Sequence, residues 1–92
     1  MSYRIKFTKK ADKDIAFYAK TGDKAILKKI QKLLDELIEH PTTGTGHPEQ
    51  LRYQLGGLWS RKITDKHRLI YEIFETEIIV EIISAEGHYG DK

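Results

Sequence analysis

The chain contains no cysteine, so neither a disulfide framework nor a thiolate metal site can supplement its core, and the composition suits a reducing compartment. Only two prolines are present, and no apolar run approaches the roughly 20 residues that a membrane-spanning helix needs. The opening residues, MSYRIKFTKKADKD, lack the apolar h-region of a secretory signal, so the expected location is the cytoplasm, away from any membrane. Neither sign of charge dominates, since 16 basic and 14 acidic residues nearly cancel. Net charge therefore says little about a polyanionic partner, and the distribution of charge has to carry that question.

That distribution is uneven. Between residues 52 and 68, Arg52, Arg61, Lys62, Lys66 and Arg68 face a single acid, Asp65, whereas Glu72, Glu75, Glu77, Glu81 and Glu86 crowd the end of the chain. A basic stretch of this kind favours an anionic ligand, although a solvated charged face is the plainer explanation. The histidines His40, His47 and His67 lack metal-ligand spacing, so no metal and no cofactor are expected.

The length of 92 residues predicts one domain spanning 1–92, whose core should be one sheet face packed on a helical layer. Tyr3, Ile5 and Phe7 alternate with charged residues at the period of a half-buried strand. Thr8 can cap a helix carrying Ala11, Ile15, Tyr18 and Ala19, which Gly22 can end in a left-handed conformation. Asp23 can cap a second helix whose apolar stripe is Ile26, Ile30, Leu33, Leu34 and Leu37, stopping before His40-Pro41. The Pro41 to Gly46 segment, PTTGTG, is a loop by composition. Strands are then predicted at Leu51 to Leu55 (weakly), Leu58 to Ile63, His67 to Phe74 and Ile78 to Ile83, with Gly56-Gly57 suited to a tight turn. The expected fold is α+β, with an antiparallel β-sheet packed on an N-terminal helical hairpin in the order β-α-α-β-β-β. If Leu69, Tyr71 and Ile73 face the helices, Arg68, Ile70, Glu72 and Phe74 lie on the other face. Both faces then carry large apolar groups, which suggests that a partner segment, or equally a loop of the chain itself, covers part of the second.

The runs GTGHPEQL and LGGLWSRKITDKHRLIY, followed by HY near the end, resemble the YoeB/Txe-type toxins of the RelE superfamily. These are ribosome-dependent mRNA endonucleases neutralised by a cognate antitoxin, and the similarity extends over essentially the whole chain. The resemblance implies a RelE/ParE-like fold. It implies that Glu49, Arg68, His88 and Tyr89 are the catalytic set and that Arg52, Arg61 and Lys62 are basic residues of the active cleft, with Lys62 standing where family members carry arginine. Lys66, within the same basic run, is counted with the substrate-binding residues. Partners implied are an antitoxin of YefM or Phd type, the ribosome with its mRNA and, as an option, a second copy of the chain.

Elementary chemistry agrees with those assignments. RNA carries its own nucleophile, the 2′-hydroxyl, so cleavage needs a base, an acid for the leaving 5′-oxygen, and cations for the phosphorane charge. Glu49 can be the base and His88 the acid, while the planar fork of Arg68 suits the non-bridging oxygens. The expected products are a 2′,3′-cyclic phosphate and a 5′-hydroxyl, with no metal required. Trp59 is read as a sheet-packing residue and Tyr89 as the better base-stacking candidate. Two other functions compete: a non-catalytic toxin of the same fold that binds a protein such as gyrase, and a basic RNA-binding module without chemistry.

Overall fold

In the computed structural model, which describes residues 2–46, 48–50 and 58–85, the local signals of the N-terminal half become two capped helices. Helix α1 (Lys9–Thr21) begins where the Thr8 side chain accepts the Ala11 N–H, and ends at Gly22 with φ of 75°. Helix α2 (Lys24–Glu39) begins where the Asp23 side chain accepts the Ile26 N–H. It stops at His40, ahead of Pro41, because the residue preceding a proline is driven out of the helical region.

The strands are β1 (Arg4–Phe7), β2 (Glu49–Gln50), β3 (Leu58–Lys62), β4 (Arg68–Phe74) and β5 (Ile79–Ser84), ordered β1-β5-β4-β3-β2 in one sheet. Strands β2 to β5 form antiparallel neighbours, as short connections require, but β1 pairs in parallel with β5. The sheet is therefore mixed rather than wholly antiparallel: the two-helix connection sets β2 opposite in direction to β1, and three further reversals bring β5 back to the direction of β1. The weak strand expected at Leu51 to Leu55 falls outside the described residues.

The stripe of α2 (Ile26, Ile30, Leu33, Leu37) packs with Ala11 and Tyr18 of α1 onto Leu69, Tyr71, Val80 and Ile82 of the sheet, all buried. Fully burying a side chain such as Leu33 is worth about 1.5–3 kcal/mol. Trp59 and Ile73 are half-buried against the same cluster, in keeping with the predicted facing. Between Tyr71 and Ile70 the β4–β5 register slips, so that Tyr71 opposes Ile82 while Ile70 opposes Ser84. The extra residue, Ile83, is a β-bulge that resets the alternation and turns Ala85 into the core.

Candidate active site

Residues opposite one another across a ladder project to the same face, so the register sorts the candidate side chains without ambiguity. On the face away from the helices, Glu49 opposes Ser60, Ser60 opposes Ile70 and Ile70 opposes Ser84, giving one row across four strands. Ser60, Ile70 and Ser84 are buried, and Glu49, on the edge strand, is exposed. The adjoining row sets Lys62 directly against Arg68. Two like charges placed opposite each other cost roughly 0.2–1 kcal/mol unless an anion offsets them. The row on the other side holds Leu58, Glu72, Glu81 and Lys6. The outer face thus grades from a basic end to an acidic one, with Glu49 at the edge of the middle row.

One strand, β3, lies between Glu49 and Arg68, so they are two inter-strand spacings apart, and one two-residue step along the strands divides their rows. The spacings of a sheet put their α-carbons about 12 Å apart, a gap that a glutamate and an arginine can share around a phosphodiester. Lys62 reaches Asp65 at 3.7 Å, but Asp65 is 98% exposed, so this pair holds the ammonium only loosely. Lys66 sits at the exposed tip of the β3–β4 connection. Arg52, His88 and Tyr89 lie outside the described residues.

Arg61 corrects the expectation made for it. It follows the inward parity of Trp59 and Ile63, and it is fully buried rather than directed at a substrate. Its Nε donates to the Tyr71 hydroxyl (3.2 Å), its Nη1 to Glu36 Oε1 (2.9 Å) and the Thr45 carbonyl (3.3 Å), and its Nη2 to the Thr43 carbonyl (2.6 Å) and the His40 carbonyl. The guanidinium is the internal tie of the 40–45 loop. Tyr71 completes it by donating to the Pro41 carbonyl at 2.7 Å. Hydrogen bonding from Thr45, joined by the Arg61 charge, holds the Glu36 carboxyl below the usual carboxylate range. Burial pushes the Tyr71 phenol up, against the opposing pull of Arg61.

Glu36 is the residue that pattern reading passed over. One acid among the lysines of α2, it reads by pattern as a solvated charge. Its place three residues after Leu33, on the margin of the apolar stripe, was the available signal.

A second tie lies at the far end of β5. Asp14, buried and paired with Lys10 at 3.2 Å, accepts the Ala85 N–H at 3.0 Å, and Tyr18, one turn further along α1, donates its hydroxyl to the Ala85 carbonyl at 2.8 Å. His67 Nδ1 lies 3.2 Å from the same hydroxyl, whose proton is committed to Ala85, so that nitrogen is the donor. Both polar groups of the Ala85 backbone, three residues ahead of His88 in sequence, are gripped from α1. Among the described residues no group of three or more histidine, aspartate or glutamate side chains is arranged to hold a metal ion. No helix among them is long and apolar enough to cross a membrane.

Comparison with known proteins agrees with this architecture. Residues 7–89 match the family described as YoeB-like toxin of bacterial type II toxin-antitoxin system. Toxin YoeB of Escherichia coli K12 is 38% identical over 76 residues, covering 83% of this chain and 88% of its own length. A YoeB dimer from Staphylococcus aureus superposes with a TM-score of 0.83 at 32% identity, covering 97% of this chain and 100% of that one. The toxin in a heterotetrameric YoeB-YefM toxin-antitoxin complex from the same species gives 0.80 at 32% identity, with 97% and 100% covered.

Proposed function

Because the chain belongs to the YoeB-like toxins of bacterial type II toxin-antitoxin systems, we propose that it is a ribosome-dependent endoribonuclease that cuts mRNA in the A site and so stops translation. Glu49 takes the proton from the 2′-hydroxyl as that oxygen attacks phosphorus. His88 protonates the departing 5′-oxygen, and Arg68 neutralises the charge gathering on the non-bridging oxygens. Tyr89 stacks on a base, while Arg52, Lys62 and Lys66 hold the backbone. Arg61 has no part in substrate contact.

The observation that supports this best is the cross-strand register. It sets the exposed carboxylate of Glu49 one row away from the opposed Lys62–Arg68 pair on one face of the sheet. The arrangement suits phosphodiester chemistry better than simple binding, since a phosphate-binding surface gains nothing from an acid beside its cations. The face is only modestly basic, so the ribosome would supply the in-line geometry that it does not impose alone.

The partners proposed are an antitoxin of YefM type, a segment of which covers outer-face apolar groups such as Phe74 and Ile83, and a second copy of the chain, in line with the S. aureus assemblies. The site of action is the cytoplasm. Primer extension on translated and untranslated copies of one message tests the whole reading: cuts should appear only on the translated copy. Glu49→Gln and His88→Gln should each lower the cleavage rate by about 10²–10⁴-fold while ribosome binding survives. Cuts that persist at wild-type rate in both variants would overturn the assignment of base and acid.

A further inference from the structure

We infer that Glu36 and Arg61 are positioning residues for Glu49, acting through the loop that delivers it; this rests on the reading of Glu49 as the general base. The loop enters β2 from the end of α2, and its backbone is held from two sides. From below, Arg61 takes the carbonyls of His40, Thr43 and Thr45, and Glu36 takes the Thr45 N–H at 2.7 Å. From the strand, the Lys62 N–H donates to the Gly46 carbonyl at 2.6 Å, three residues before Glu49.

The loop is built to fit that clamp closely. Gly44 has φ of 121°, and a Cβ there would lie 2.5 Å from Glu36 Oε1 and 3.2 Å from Arg61 Nη1. Gly46 has φ of 86°, and its Cβ would meet the Lys62 carbonyl at 2.9 Å. Both glycines combine a backbone that side-chain-bearing residues rarely adopt with a close approach to the tie itself. Arg61 is fully buried and Glu36 is 24% exposed, and an ion pair taken out of water often stabilises a fold no better than apolar packing of the same volume, so the pair is weak evidence of a stability role alone. Holding an edge-strand carboxylate in register does account for it, because a displacement of about 1 Å at a reacting group can cost about 10²-fold in rate. Glu49 itself is exposed, on a two-residue strand whose backbone pairs with β3 at Ser60.

The test uses purified full-length toxin on ribosomes programmed with one message, measuring the cleavage rate at saturating ribosomes separately from the half-saturating concentration. Gly44→Ala pushes a methyl into the clamp, and Glu36→Gln removes its charge. Gly22→Ala is the control, since Gly22 shares a positive φ but has nothing within 4 Å of its would-be Cβ. In conditions where thermal melts show all three folded, Gly44→Ala and Glu36→Gln should cleave at least about tenfold more slowly, with half-saturation moved less than about threefold, and Gly22→Ala should cleave at the wild-type rate. If Glu36→Gln does not fold, Gly44→Ala decides alone. Wild-type rates in the folded clamp variants overturn the inference while leaving Glu49 as base. A wild-type rate in Glu49→Gln overturns both, and the two failures are told apart by that variant.

Discussion

Arg61 and Lys62 are consecutive basic residues on one strand, yet they belong to different regions with opposite demands. The inner face of the sheet takes a charge only if every donor is matched, and Arg61 meets that condition with a carboxylate, a phenol and three carbonyls. On the outer face Lys62 stands opposite Arg68 and reaches only the exposed Asp65 at 3.7 Å. On the inner face positive charge is converted into structure, and on the outer face Lys62 stays half-exposed to solvent. A single step along a strand, which reverses the facing of a side chain, is what separates the two roles.

The contrast can be broken most sharply by removing each charge in turn. Arg61→Met should lower the free energy of unfolding by about 3–5 kcal/mol in urea titrations, because Glu36 and the loop carbonyls are left unpaired. A loss below about 1 kcal/mol would mean that the inner face does not depend on its guanidinium. Acid should act on the same network more gently. Folding lowers the Glu36 carboxyl, so its contribution is complete above the unfolded glutamate value and is lost as pH falls through the folded one. Unfolding midpoints of the wild type should drop between about pH 5 and pH 3 more steeply than those of Glu36→Gln, which lacks that group. The smallest effect belongs to the outer face. Lys62→Met should leave stability within about 0.5 kcal/mol and reduce the salt dependence of ribosome association by about one unit of log–log slope.

Much of this was visible in the residues. Both helices could be placed because Thr8, Gly22 and Asp23 mark their ends chemically and the α2 stripe has an unbroken helical period. The inward facing of Leu69, Tyr71, Val80 and Ile82 followed from alternation. Strand order did not, because periodicity says which face a residue takes and nothing about its neighbour, so the parallel partnership of β1 and β5 had to come from the structure. The bulge at Ile83 was equally hidden, since an extra residue in a ladder leaves no mark on an apolar run. Glu49, Lys62 and Arg68 were grouped by the family resemblance, and their register places them on one face. Arg61 was misassigned because its charge was weighed above its parity with Trp59 and Ile63, which already pointed it inward.

The last of the described strands, residues 79–84, fills the slot between the first strand and the β2–β4 meander. Until it arrives, Arg4–Phe7 has no sheet neighbour and the two helices have only part of a floor to pack on. Closure of the sheet is thus a long-range event, joining residues 4–7 to residues 79–82 across the whole helical layer. The face that carries Glu49, Lys62 and Arg68 gains its last described neighbour, Ser84, only in that same step.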